Sequence, residues 1–468
     1  MPDQQHVLIN GLATTFTRAK SKRHCQSANT ARLPLARFVF GSTPEIKKVS
    51  NAISPAKAVS CNPALLELAA ARCALLLQGP VGPFFDRLTR WLQSNGTSVH
   101  RVILQAGDRH DCQRGEPMAY VGTAAQWPTF VENTVRLLGV DLIVLFGQTR
   151  SHHMAAIALA ESLGIPVVVL EEGYVRPGFI TMELGGVNGF STTLRDFEWQ
   201  PELPGPTVQT RKPASTEHQF RQMVWFACRH YWALYWGRKI SAHYQHHRST
   251  SIWNHSHYWV CSLIRKTLHL IRDRKRFKSL RDQSYFFVPL QHDGDSQITH
   301  HSPYVQNTEF IIEVLRSFAH HAPTDARLVF RQHPHSRGGR SHDRLIRSLA
   351  RELGIGPRVE HLVEGHTPTI ITHARGVVVI NSTVGLQALM RNKPLMVLGE
   401  AMYDRPGLSF QGTLHRFWAD CPAPDAEQAQ AFIQSLIALT QVPCNVYGLA
   451  DEPLLWTPVE RLQNSPST

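Results

Sequence analysis

Short runs of apolar residues alternate along this chain with longer stretches whose apolar positions recur every three or four residues. Residues 74–77, 99–104, 141–146 and 165–170 are brief, nearly continuous apolar runs bounded by turn residues. That pattern predicts buried strands. Between them, 84–94, 130–138 and 153–163 carry a helical period, and Gly164 stops the last. A Gly/Pro turn, Gln78-Gly79-Pro80-Val81-Gly82-Pro83, joins the first strand to its helix. Strands alternating with helices imply a parallel sheet and a Rossmann-like domain.

The same alternation returns later. Strands are predicted at 285–290, 327–330, 376–380 and 395–398, with a weaker one at 359–362. Helices are predicted at 305–320, 340–353, 384–390 and 426–440. The fold class is therefore α/β, two Rossmann-like domains facing a cleft in the manner of GT-B enzymes, with a helical insertion. The expected boundaries are 1–72 for a poorly structured leader, with a short helix near its end, and 73–214 for the first domain. They continue with 215–282 for the insertion, 283–445 for the second domain and 446–468 for a tail.

The insertion has its own pattern. Trp225, Phe226, Tyr231, Trp232, Leu234, Tyr235 and Trp236 are interleaved with Arg221, Arg229, Arg238 and Lys239, and 264–280 is a second basic stretch. Aromatic and basic residues together suit an interfacial helix on an anionic membrane. A helical insertion packed on the first domain, with solvated charges, accounts for them equally well.

Composition narrows the picture. A chain of 468 residues exceeds one ordinary core, and 43% hydrophobic residues mark it as globular. No run reaches the roughly 18 to 20 apolar residues that cross a bilayer. Residues 1–7 show no secretory pattern. Eight cysteines are scattered without metal-ligand spacing, which fits reduced thiols in a cytosolic protein. A formal charge of +13 with 26 histidines favours anionic partners: nucleotides, phospholipid head groups or acidic sugars. No nucleic-acid-binding motif accompanies the charge, so no nucleic acid is expected.

Candidate chemistry sits where strands end, the place at which open α/β sheets bind ligands. Arg331-Gln332-His333-Pro334-His335 follows one strand, and His333-Pro334 can present an imidazole to a phosphate or ribose on a stiff turn. Asn381-Ser382-Thr383 follows another. It can cap the next helix or let that helix's N–H groups hold a phosphate. Glu171-Glu172-Gly173 ends the last strong strand of the first half. A carboxylate there can serve as nucleophile or acid/base, and adjacent residues on an extended segment point opposite ways, so only one faces substrate. Asp293-Gly294-Asp295 resembles a metal-binding DxD, but its place in the second half favours a plain turn. Gly79 and Gly82 match no standard phosphate loop.

Taken in order, several stretches resemble the bacterial capsule polysaccharide biosynthesis/export proteins of the KpsS/LipB type. They are 76–85 (Leu-Leu-Gln-Gly-Pro-Val-Gly-Pro-Phe-Phe), Glu171-Glu172-Gly173-Tyr174-Val175-Arg176-Pro177, Phe287-Val288-Pro289-Leu290-Gln291, Asp295-Ser296-Gln297-Ile298, His333-Pro334 and Asn381-Ser382-Thr383-Val384-Gly385. The resemblance spans roughly 74–415. It implies a retaining β-Kdo transferase with CMP-Kdo as donor substrate and no cofactor or metal. The implied acceptor is a glycerophospholipid of the lyso-phosphatidylglycerol type, on which a Kdo linker for capsule export is started. Related Kdo transferases carry Glu-Asp-Gly where this chain has Glu171-Glu172-Gly173, so the resemblance points to Glu172, with Glu171 as the alternative nucleophile. It assigns Arg331, His333, Pro334, Asn381, Ser382, Thr383, Gln291, Asp295 and Ser296 to the donor side, and Gln78, Gly79, Gly82, Tyr174 and Arg176 to the cleft. It places the protein in the cytoplasm, peripheral on the inner face of the inner membrane, with capsule assembly and export proteins as partners. A non-catalytic scaffold of the export complex, or a GT-B enzyme using another nucleotide sugar, are the competing readings.

Overall fold

Asn62 opens the described chain by capping the helix Pro63–Ala70, its side chain accepting from the Leu65 N–H at 3.1 Å. The computed structural model describes residues 62–195, 216–237, 252–293, 296–336 and 341–456. The first half holds β1 (Cys73–Leu76), β2 (Ser98–Ile103), β3 (Glu116–Ala119), β4 (Leu142–Phe146), β5 (Val167–Glu172) and β6 (Phe179–Leu184). The second holds β7 (Tyr285–Pro289), β8 (Arg327–Arg331), β9 (Val359–Leu362), β10 (Gly376–Val379) and β11 (Leu395–Val397); β12 (Gln441–Pro443) comes last. The α/β arrangement expected from the pattern is present as two sheets.

The first sheet has seven strands in the order β12-β6-β5-β4-β1-β2-β3, and the second five in the order β11-β10-β7-β8-β9. All pairs in the second sheet are parallel, as are those among β1 to β5. Strands β1, β4, β7 and β10 are buried along their whole length. Continuous apolar runs with both faces covered by helices are what a parallel sheet requires. Helices Trp127–Leu138 and Ser151–Leu163 end on Gly139 and Gly164, both left-handed, with φ of 63° and 68°.

Three strands escape the sequence pattern, each for a physical reason. β3 and β12 are short and contain proline, which is tolerated only at edges. β6 runs antiparallel to β5, pairing Ile180 with Glu172, so it breaks the strand–helix alternation on which the reading relied.

The end of the chain departs most from expectation. After the helix Ala426–Thr440, β12 pairs antiparallel with β6 of the first sheet. Val446, Leu454 and Trp456, expected in a tail, are buried in the core beside β1 and the helix Phe84–Ser94. Arg87 clamps this return segment, donating to the carbonyls of Glu452 at 2.8 Å and Asn445 at 2.6 Å. The helix Ala426–Thr440 packs Phe432, Ile433 and Leu436 with Tyr174 and Val175 of the first half and with Tyr285 and Phe287 of the second. The turn after β5 therefore lies where the two halves share a core.

The insertion is two helices, Thr216–Trp236 and Ile252–Leu280. Arg238 and Lys239 of its aromatic–basic pattern lie outside the described residues. The first helix docks on the first half: the buried His230 puts Nδ1 2.7 Å from the Asp111 carboxylate and stacks its ring on Gly107, where a Cβ would come within 2.3 Å of Nε2.

Candidate active site

Each sheet has one point where the strand order reverses, and several of the candidate residues lie there. In the second sheet it lies between β7 and β10. Gln291 follows β7, Asn381 follows β10, and the Gln291 Nε2 donates to Asn381 Oδ1 at 3.0 Å. Asn381 also donates through Nδ2 to the carbonyls of Gln297 and His301, at 2.9 and 3.0 Å. Its amide thus ties three segments together. Ser382 accepts from the Val384 N–H at 3.3 Å, and its carbonyl accepts from the Tyr403 hydroxyl. Thr383 is the cap position of the helix Val384–Leu389 but makes no side-chain capping bond. The capping role expected of this tripeptide falls to Ser382.

Beside this point, β8 delivers Arg331 and the His-Pro step. Arg331 Nη1 donates to Thr367 Oγ1 at 2.7 Å. Pro334 starts a single 3-10 turn, and the Ser336 N–H closes it on the His333 carbonyl at 2.9 Å. The half-buried His333 ring stands edge-on to His292, centroids 6.2 Å apart. His292 was not singled out in the sequence, although it directly follows Gln291. Asp293 accepts from Asn307 at 2.8 Å and lies 3.4 Å from His342. Gly294 and Asp295 lie outside the described residues. Ser296 begins the helix Ser296–His300, without a described side chain.

The reversal in the first sheet lies between β1 and β4. Gln78 follows β1 and is buried, donating to both oxygens of Asp108 at 3.0 and 3.2 Å. Burial raises the Asp108 carboxyl above its ordinary range, against the lowering effects of His230, Gln105, Gln78 and Arg150. Arg150, just past β4, donates from Nη1 to Gln78 Oε1 at 2.8 Å and lies 3.3 Å from the Gly79 carbonyl. Arg150 was missed, though it sits just past a strand end, where the other candidate side chains were sought. Gly79 lies against the Phe85 ring, 2.8 Å from where a Cβ would stand. Gly82 has φ of 97°, packs on Phe226 and donates its N–H to Asp111 at 3.0 Å.

β5 ends in the two carboxylates. Glu172 is half-open, with Oε2 2.8 Å from Arg176 Nη1. The Tyr447 hydroxyl lies 3.4 Å from its Oε1. Arg176 also donates from Nε to the Gly173 carbonyl at 2.8 Å. Gly173 admits no side chain, because a Cβ would stand 2.4 Å from the Phe179 carbonyl oxygen. Glu171 pairs in register with Thr181 and Glu172 with Ile180, so the two side chains leave opposite faces of the strand. Tyr174, expected on the cleft, is placed in the interior. It is 2% exposed and donates to Glu183 Oε1 at 2.7 Å. Glu183 is also held by the Ser191 hydroxyl, and burial pushes its carboxyl up to about 7.

The loop after β6 carries this network to the second half. Phe190 meets His301 edge-on, centroids 4.7 Å apart, and Gly189 lies against the same imidazole. His301 in turn supplies a carbonyl to Asn381. The turn bearing Glu172 and the Gln291–Asn381 brace are thus joined through Tyr174, Glu183, the 188–191 loop and His301. Such a chain can hold the Glu172 carboxylate in fixed register with the polar, histidine-bearing strand ends of the second sheet.

A family model described as "Capsule polysaccharide biosynthesis protein" matches residues 141–447. The capsule polysaccharide export protein KpsS of Escherichia coli is 38% identical, over 82% of this chain and 99% of its own length. The capsule polysaccharide modification protein LipB of Neisseria meningitidis serogroup A is 34% identical, over 81% of this chain and 93% of its own. Among solved structures, the β-Kdo 2,7 transferase of Thermosulfurimonas dismutans KpsC superposes with a TM-score of 0.39 at 15% identity, covering 84% of this chain and 97% of that one.

Proposed function

The chain belongs to the capsule polysaccharide biosynthesis protein family, and we propose that within it the protein is a retaining β-Kdo glycosyltransferase. It transfers Kdo from CMP-Kdo to a glycerophospholipid of the lyso-phosphatidylglycerol type, starting the linker on which capsule is built and exported. The observation that carries this reading is the half-open Glu172 carboxylate, held by Arg176 at the end of a strand and connected through hydrogen bonds and the Phe190–His301 ring contact to the second sheet's reversal point.

In this mechanism the donor's phosphate lies against the β8 end, near Arg331, His333 and His292. Glu172 attacks the anomeric carbon. A carbon–oxygen bond forms to the carboxylate as the bond to the phosphate oxygen breaks, and the electron pair leaves with CMP. An acceptor hydroxyl then displaces Glu172 from the other side, giving its proton to solvent as the glycosidic bond forms, the carbon–oxygen bond to Glu172 breaks and the original configuration is restored. Cationic side chains can neutralise the leaving phosphate without a metal.

Among the described residues no helix is long and apolar enough to cross a membrane. The exposed Trp225, Trp232 and Trp236 support a peripheral position on the inner leaflet. There the protein would meet its lipid acceptor and the capsule assembly and export proteins.

The test is to supply purified protein with CMP-Kdo and lyso-phosphatidylglycerol, follow CMP release and weigh the lipid. CMP release with a lipid gaining one Kdo or more is expected. No release with this donor, alongside turnover of another nucleotide sugar, would overturn the donor assignment. No turnover of any nucleotide sugar would leave a scaffold.

A further inference from the structure

The first insertion helix carries a groove that the transfer chemistry alone does not require. It has a volume of about 660 Å³, within the range of small-ligand sites, and is lined by Phe220, Val224, Trp225 and Phe226 of the helix Thr216–Trp236 and by Leu449 of the return segment. The walls are mostly apolar, with His218, Arg221, Gln222 and Cys228 also bordering the groove, and Trp225 is 62% exposed and Leu449 54%. Large side chains held open to water around a concave apolar surface mark a binding site rather than a core.

Its surroundings are cationic. Arg221 lines the groove and is exposed, and Lys266 sets Nζ 4.9 Å over the Phe220 ring. Trp225, Trp232 and Trp236 follow at spacings of seven and four, which align on one helix face, so an exposed aromatic stripe runs from the groove toward the helix end.

The groove is also tied to the candidate site at two points. Phe226, in its wall, packs on Gly82 of the turn after β1. Leu449, in its other wall, comes two residues after Tyr447, whose hydroxyl lies 3.4 Å from Glu172. Two peptide steps span at most about 8 Å. The segment between is fixed, because Arg87 and Arg90 hold the carbonyls of Asn445, Ala450 and Glu452.

We propose that this groove binds the acyl chain of an anionic single-chain amphiphile, the transferase's acceptor, with its head group directed along the 447–449 segment toward Glu172. The proposal rests on the transferase reading for the identity of its occupant. Apolar walls offer an alkyl chain dispersion contacts and removal from water. Flanking cations neutralise the head group's phosphate, and the short path to Tyr447 puts the head group, not the chain, near the reacting carboxylate. A peptide fits poorly, because the walls supply few partners for its backbone N–H and C=O groups.

Binding can be measured apart from turnover. The full chain is titrated with a lysophosphatidylglycerol brominated in mid-chain, kept below its micelle concentration, while tryptophan fluorescence is followed. Saturable quenching is expected, and Trp225→Phe should remove a distinct part of it. Val224→Glu and Leu449→Glu, each placing a carboxylate in the groove, should weaken binding about tenfold or more. Far-ultraviolet circular dichroism and thermal melting check that both variants fold, and either one suffices if the other does not. Quenching only by vesicles, or affinity untouched by both carboxylates, would overturn the groove. Saturable binding without turnover of any sugar nucleotide would instead sink the transferase reading and leave the groove standing.

Discussion

Arg176 reaches back across the turn after β5 and sets its Nη1 2.8 Å from Oε2 of Glu172. With side chains 51% and 40% exposed, such a pair contributes no more than about 1 kcal/mol to stability. Its consequence is orientation: the cation fixes which way the carboxylate points. Glu172→Gln keeps the shape and removes the nucleophilic charge. Transfer should fall by on the order of a thousandfold, with little change in melting temperature or CMP affinity. Enzyme trapped with donor should show a Kdo adduct by mass spectrometry in the wild type and none in the variant. Near-normal turnover would move the role to Glu171.

The return of the chain to the first sheet makes the C-terminal segment part of the core. Trp456 is 6% exposed, donates its indole N–H to the Pro443 carbonyl at 2.9 Å and accepts at its own carbonyl from Trp91 at 3.2 Å. Trp456→Ala should cost roughly 3–5 kcal/mol. Leu455→Ala, next to it but 73% exposed, should cost under about 0.5 kcal/mol. Urea unfolding of the two variants checks this, and equal small effects would show that the segment is not packed as described.

The parallel core was legible because its strands are continuous apolar runs and its helices keep a clean period. The antiparallel β6 and β12 were not, since no local pattern says that a proline-bearing tripeptide near the end will pair with a strand far back in the sequence. The site divides in the same way. Asn381 and Glu172 follow from the strand-end rule, and Gln291 from the family resemblance. Tyr447 reaches Glu172 only through the return of the chain, which no local signal announces. Tyr174 was expected on the cleft through the family resemblance. Its neighbour in space is the buried Glu183, and a buried carboxylate rewards a hydrogen-bond donor facing inward.

Asn381 illustrates how a motif residue can act without touching substrate. Its side chain accepts from Gln291 and donates to two carbonyls. Asn381→Ala should remove these three bonds, the two carbonyls keeping the His301 and Glu400 N–H groups as donors, and lower stability by about 1–3 kcal/mol, with the loss visible in chemical denaturation of the ligand-free protein. A variant as stable as wild type but weaker in CMP binding would instead make Asn381 a donor contact.

Glu183 gives the fold a pH dependence with a defined sign. Burial raises its carboxyl to about 7, despite the lowering effect of the hydrogen bonds from Ser191 and Tyr174. In the unfolded chain the group titrates near its ordinary 4.5. Between these values the folded protein holds a proton that the unfolded chain has released. Its contribution is therefore fully present below the lower value and is lost as pH rises to the upper one. Glu183→Gln removes the titration and keeps an acceptor for Tyr174. From pH 5 to pH 8 the wild type should lose on the order of 2–3 kcal/mol relative to the variant. Parallel slopes in urea unfolding at the two pH values would show that Glu183 is not protonated in the fold.

His333 and His292 bring two imidazoles together at the ends of adjacent strands, with ring centroids 6.2 Å apart. Neither a lone His-Pro step nor a lone exposed histidine says much. Their meeting beside the second sheet's reversal point, with the Arg331 guanidinium on the same strand end, forms a corner of hydrogen-bond donors suited to a phosphate. A hydrogen bond to a charged group contributes about 1.5–3 kcal/mol, so His333→Ala should weaken CMP binding roughly ten- to a hundredfold in calorimetry. His292→Ala should weaken it in the same direction. The effect should be specific to the nucleotide, because the acceptor groove lies on the insertion helix and the return segment: lysophosphatidylglycerol should bind the His333 variant as it binds the wild type. Unchanged CMP affinity in both histidine variants would move the donor phosphate away from β8, to the first sheet's reversal point where Arg150 closes on Gln78.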